Sequence, residues 1–150
     1  MARPESHDPG NQLHLEQTLH HIYEMRNFNR WIYSLIEPAL GQRVVEIGSG
    51  IGSFTELLAE ENRQVWATDI EPHYLEQVRQ RFTDHAAVRV EQYDVSQPPS
   101  ESLPCGGADT VVCMNVLEHI EDDLEAMWHI ASLLRPGGRS IILVPAFQGL

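Results

Sequence analysis

Val44-Val45-Glu46-Ile47-Gly48-Ser49-Gly50-Ile51-Gly52-Ser53-Phe54-Thr55 is the stretch from which the architecture can be read. Val44 to Ile47 is a short apolar run rich in β-branched residues, the composition of a strand. Gly48, Gly50 and Gly52 follow at alternate positions. Glycine takes positive φ without steric cost and leaves no Cβ between the backbone and a ligand. A plain strand-to-helix turn needs only one such residue, so three in alternation suggest a turn shaped to receive something. Ser53 and Glu56 have the Ser-x-x-Glu spacing of a capping box, and a helix is expected from Phe54 to about Glu61. Strand, glycine turn and helix start together form the context of a nucleotide-binding turn.

Downstream of that unit the same alternation repeats. Val65 to Thr68 reads as a second strand and Pro72 to about Phe82 as a helix. Val88 to Tyr93 alternates as a third strand, and Ser96 to Gly107, with three prolines, reads as a loop or broken short helix. Thr110 to Met114 is a fourth strand, Asp122 to Leu134 a helix, Arg135-Pro136-Gly137-Gly138 a turn, and Ser140 to Val144 a fifth strand. Strands separated by helices make βαβ units, and right-handed crossovers join them into a doubly wound, mostly parallel, Rossmann-like α/β sheet. Upstream, Leu15, Leu19, Ile22, Phe28, Ile32, Leu35 and Ile36 recur at helical spacing, ending at Glu37-Pro38. The expected organisation is a disordered leader at 1–11, a helical segment at 12–38 and an α/β domain at 39–150.

In such a sheet ligands lie beyond the carboxyl ends of the strands. Asp69 ends the second strand about 20 residues after the glycine turn, where a carboxylate accepts from ribose hydroxyls. Pro72 suits the first helical turn, making Glu71 the expected cap and leaving Asp69 free. Asp94 ends the third strand and can accept from an exocyclic amine such as adenine N6, or can simply begin the turn before Ser96. Val95 offers apolar contact to a ring; Ile70 could pack on its other face or in the core. Asn115 leaves the fourth strand toward the pocket floor, and His119 is a candidate general base, though a lone histidine at a helix entrance is more often structural. The spacing is G-x-G-x-G, whereas a dinucleotide fingerprint is G-x-G-x-x-G; its third glycine is Ser53 here, and no basic residue lies in the turn. A ligand with phosphates is therefore disfavoured.

Composition narrows the partners. Ten Lys and Arg against 22 Asp and Glu give a net charge of −12, which repels phosphate backbones, so no nucleic acid is expected. No run of about 18 apolar residues is present, so no membrane span is expected, and the first ten residues lack the apolar core of a signal peptide. Cys105 and Cys113 read as free thiols, and the expected location is cytoplasmic. His14, His20 and His21, with Glu16, lie on a solvated helix without metal-ligand spacing; no metal site is expected. No Gly-x-Ser-x-Gly nucleophile elbow occurs.

Together these residues resemble the class I S-adenosylmethionine-dependent methyltransferases, over about Arg43 to Val144. Val44 to Thr55 is similar to the family's glycine-rich first motif, Ala67-Thr68-Asp69-Ile70-Glu71-Pro72 to its ribose-binding strand end, and Tyr93-Asp94-Val95 to its adenine-binding one. Asn115-Val116-Leu117-Glu118-His119-Ile120, followed by Leu133-Leu134-Arg135-Pro136-Gly137-Gly138-Arg139, resembles the small-molecule branch that includes quinone-biosynthesis enzymes. The resemblance implies S-adenosyl-L-methionine as cofactor. It implies that Gly48, Ser49, Gly50 and Gly52 bound the methionine part, with Glu46 nearby and Asn115 close to the amino-acid end. It also implies in-line attack of a small-molecule or lipid-like acceptor on the sulfonium methyl, a reaction in which alignment supplies much of the rate. The catalytic residue, the acceptor atom and the oligomeric state are not given by it. The family's sheet has seven strands, so a chain with five reads as a fragment whose fifth strand, Ile141 to Val144, needs a cover. A non-catalytic cofactor-binding or regulatory module, and a nicotinamide-dependent oxidoreductase, stay open as alternatives.

Overall fold

The computed structural model of the chain describes residues 25–146. The expected leader, the first half of the N-terminal helical segment and its histidines His14, His20 and His21 lie outside the described residues. Helix α1 is seen over residues 25–36, and a 3-10 turn at Glu37–Ala39, with Pro38 in it, ends it. The remaining elements are β1 (Arg43–Ile47), α2 (Thr55–Leu58), β2 (Gln64–Asp69), α3 (Pro72–Arg81), β3 (Val88–Gln92), β4 (Ala108–Met114), α4 (Asp123–Leu133) and β5 (Leu134–Leu143).

The five strands form one sheet in the order β3-β2-β1-β4-β5, and every pairing is parallel. Because β1 is central, both of its faces are covered, and Val44 to Ile47 are all buried. Alternation sends its residues to two different cores. Val45 and Ile47 join Trp66, Val111 and the α4 residues Ala126, Ile130 and Leu133 on one face. Val44 joins Val65, Val112, Ile32 and Tyr33 of α1, and Leu57 and Leu58 of α2 on the other. The chain steps outward from β1 to β3, then crosses back to β4 on the far side of β1. That reversal opens a crevice at the carboxyl ends of β1 and β4, where this kind of sheet takes its ligands.

Three local expectations are corrected. Arg135 to Gly138 is not a turn before the strand but a bulge within β5: Ala108 pairs with Leu134, and pairing resumes at Thr110 with Arg139. Pro136 has no N–H to give the ladder and Gly137 stands at φ +78°, so this segment loops out while the strand continues on either side. Helix α2 stops at Leu58 because Glu61 and Asn62 take left-handed φ values of 61° and 57°, turning the chain into β2. The capping box at Ser53 does not form. No side chain caps α2, and the Glu56 carboxylate instead pairs with Arg81 of α3 at 2.5 Å.

Candidate cofactor site

The turn that follows β1 is built by its neighbours. The N–H groups of Gly48 and Ser49 both donate to the Thr68 carbonyl, at 2.9 and 2.8 Å, carrying β1 past the end of β2. Gly52 N–H closes the turn on Ser49 O at 2.9 Å. All three glycines have positive φ: 78° at Gly48, 51° at Gly50 and 80° at Gly52. Their surroundings differ. A Cβ at Gly48 would stand 2.4 Å from Val116 Cγ2, and one at Gly52 would press on Phe82, just past the end of α3, and on Val78 within it, at 3.1 and 3.3 Å. A Cβ at Gly50 would meet nothing within 4 Å. Gly48 and Gly52 therefore admit protein neighbours, whereas the space over Gly50 is open.

Asp69 closes the turn from the side. Its Oδ2 accepts the Gly50 N–H at 2.8 Å and its Oδ1 accepts the Glu71 N–H at 3.0 Å. The carboxylate is 8% exposed and is not free, contrary to the expectation that Glu71 alone would manage the start of α3. Each oxygen nonetheless keeps a second lone pair for a ligand hydroxyl. Ile70, next in the chain, is 55% exposed and takes no part in the core.

Glu46 lies beneath the turn, 3% exposed, and its Oε2 accepts the Thr55 hydroxyl at 2.5 Å. Burial pushes its carboxyl up to about 7, with the Thr55 hydrogen bond opposing and the nearby Asp69 charge adding to the rise. A cationic ligand group would favour its ionised form. Ser49 Oγ, also buried, has no hydrogen-bond partner among the described residues. An orphaned hydroxyl, a near-neutral buried carboxyl and a glycine with open space above it suit a compact polar, cationic ligand. The residues present thus fit the methionine and ribose parts of S-adenosylmethionine.

Around the same edge lie the other expected residues. Asp94 is exposed and does begin a turn: Oδ1 accepts Ser96 N–H at 2.9 Å, and its carbonyl accepts Gln97 N–H at 3.0 Å. Its Oδ2 has no partner among the described residues. Val95 is 2% exposed, its side chain in the core shared with α4. Asn115 stands at φ +54°, and its N–H donates to Leu143 O at 2.8 Å. His119 is largely exposed, 3.9 Å from the Glu118 carboxylate. Sequence reasoning missed Thr55, Thr68 and Val116, the residues that support the turn. Only Thr55, just past the glycines, carried any local signal. A groove of about 770 Å³ runs beside the turn between α1 and α2, bordered by Met25, Arg26, Ile51, Ser53 and Leu57.

Residues 45–140 match the methyltransferase-domain family. The chain belongs to the class I S-adenosylmethionine-dependent methyltransferases. Among similar proteins, the ubiquinone biosynthesis O-methyltransferase of Xanthomonas axonopodis pv. citri (strain 306) is 33% identical over 109 residues, covering 73% of this chain and 45% of the relative. The protein of the same name from Ralstonia nicotianae (strain ATCC BAA-1114 / GMI1000) is 30% identical over 131 residues, covering 87% and 52%. The solved trans-methyltransferase CalH, in complex with SAH, shares the fold with a TM-score of 0.61 at 24% identity, over 79% of this chain and 38% of that one. The chain thus spans about half the length of the curated relatives it matches. In this methyltransferase chain, no helix among the described residues is long and apolar enough to cross a membrane. Nor does any cluster of three or more His, Cys, Asp or Glu side chains among them suit a metal ion. Cys105 and Cys113 are both free thiols.

Proposed function

We propose that the chain is the cofactor-binding part of a cytoplasmic methyltransferase that transfers a methyl group to a hydroxyl oxygen of a small, lipid-like acceptor. The carrying observation is the Gly50–Asp69 arrangement: open space over a glycine whose N–H is held by the carboxylate at the next strand end. S-adenosylmethionine would supply an electrophilic methyl on a sulfonium. In this reading Asp69 receives the ribose hydroxyls, and Gly48 to Gly52 with Glu46 and Asn115 bound the amino-acid end. Ile70, Asp94 and the backbone of Val95 border the base. The α/β domain at 39–150 thereby orients the methyl toward an acceptor, and alignment for in-line attack is its main contribution to rate. The two relatives named for ubiquinone biosynthesis favour an oxygen acceptor on a ring compound.

Calorimetric titration of the 150-residue chain with S-adenosylmethionine, S-adenosylhomocysteine and NAD tests the cofactor. Saturable binding of the two sulfur nucleosides is the expected result; binding of NAD alone overturns it. Release of S-adenosylhomocysteine on offering a catechol, against none with a matched amine, tests the acceptor.

A further inference from the structure

The bonds that shape the turn after β3 come mostly from the turn itself. Asp94 accepts from Ser96 and Gln97 as described, and the Tyr93 hydroxyl donates to Gln97 O at 3.2 Å. Two polar bonds reach it from other elements: the Tyr93 N–H donates to the Asp69 carbonyl of β2 at 3.1 Å, and the second comes from α4. Nδ1 of His129, on α4, lies 2.9 Å from the Val95 carbonyl oxygen, in a partly buried position. A carbonyl only accepts, so Nδ1 carries the proton and donates. The Val95 side chain packs into the core that Ala126, Ile130 and Leu133 of α4 share. Residue 95 is thus held to α4 twice, by its side chain and by its carbonyl, and residue 94 is its immediate neighbour. Helix α4 is in turn fixed at its start, where Asp122 Oδ1 accepts Glu125 N–H at 2.9 Å.

We propose that His129 is a positioning residue for recognition of the adenine 6-amino group: through the Val95 carbonyl it sets the turn from which Asp94 presents its unpartnered Oδ2. This inference rests on the cofactor reading above. The 6-amino group donates to a carboxylate, whereas an inosyl 6-carbonyl cannot and is repelled by it. Discrimination between adenosyl and inosyl ligands therefore reports on where Asp94 stands, which a general loss of stability would not alter.

The test is titration of the full chain with S-adenosylhomocysteine and S-inosylhomocysteine. The wild-type chain should prefer the adenosyl ligand by about tenfold or more, the scale of one hydrogen bond to a charged group. His129→Leu should bring the two affinities close together. His129→Asn, whose amide N–H can stand near the place of Nδ1, should restore the preference, and His129→Gln, with its longer reach, should not. The Asn and Gln pair keeps the comparison available should the Leu variant fail to fold. His129→Leu or His129→Gln with wild-type preference overturns the role of His129, as does an equal loss of both ligands. A wild-type chain that binds neither ligand overturns the cofactor reading itself, a separate outcome.

Discussion

The Gly50 N–H donates to Asp69 Oδ2 at 2.8 Å, tying the glycine turn after β1 to the carboxyl end of β2. With Glu71 N–H on the other oxygen, Asp69 spends one lone pair per oxygen on the protein and keeps one on each for a ligand. The same carboxylate that would receive the ribose therefore also shapes the turn over which the rest of the cofactor would lie. Asp69→Ala removes both functions and should weaken S-adenosylhomocysteine binding by about 1–3 kcal/mol. Asp69→Asn should lose nearly as much, because its amide places a donor against a donor at Gly50 or Glu71. Calorimetry checks both variants, with circular dichroism confirming the fold. Unchanged affinity in a folded variant would make Asp69 a turn residue only.

The three glycines should separate by assay. Gly50→Ala must hold an alanine at φ +51° with no clash, a strain of about 1–2 kcal/mol. It should therefore fold with a modestly lowered Tm while its Cβ occupies the space over the turn, and ligand affinity should fall further than stability does. Gly48→Ala adds contact with Val116 Cγ2 at 2.4 Å to a similar strain, and its larger loss should be in Tm. Thermal unfolding and titration of the two variants side by side check this; equal profiles would argue against a special role for Gly50.

Asn115 poses a related question, because asparagine is the non-glycine residue that best tolerates the φ of +54° found there. Asn115→Gly satisfies the backbone and removes only the side chain. It should keep its Tm and bind S-adenosylhomocysteine more weakly if the amide reaches the amino-acid end of the ligand. Asn115→Ala should in addition lose about 1 kcal/mol of stability to left-handed strain. A glycine variant that binds like the wild type would reduce Asn115 to a conformational role.

The sheet was legible because its signals are local. Val44 to Ile47 reads as a short apolar strand from composition, and the parallel sheet and the strand-end positions of Asp69, Asp94 and Asn115 follow from the βαβ rhythm. What the sequence concealed depends on partners distant in the chain. Arg135 to Gly138 carries every mark of a turn, yet Leu134 before it and Arg139 after it both find places beside β4, so the ladder closes around it. Ser53 and Glu56 have capping spacing, but Arg81, 25 residues further on, takes the Glu56 carboxylate. Asp69 and Gly50 looked like separate ligand contacts, and only the fold shows that they bond to each other. Likewise, nothing local to His129 announces that it reaches the turn after β3, 34 residues earlier.

Glu46 gives the site a pH dependence whose sign can be worked out. In the unfolded chain its carboxyl ionises near its ordinary value of 4.5, and in the folded chain burial holds the proton until about 7. Between these values the folded state binds more protons than the unfolded one, so stability falls as pH rises and levels off above the upper value. A rise of this size corresponds to a loss on the order of 3 kcal/mol across the window. Glu46→Gln keeps an acceptor for the Thr55 hydroxyl and has no proton to lose, so its stability should change much less between pH 5 and pH 8. Urea unfolding of both proteins at those two values measures the difference. The Asp109 carboxyl is held low chiefly by its hydrogen bond from Arg135, so its own contribution falls at more acid pH and leaves this window clear. Parallel slopes in the wild type and Glu46→Gln would show that Glu46 is already ionised in the fold. The cationic ligand that the site suits would then gain nothing further from Glu46 as pH rises through neutrality.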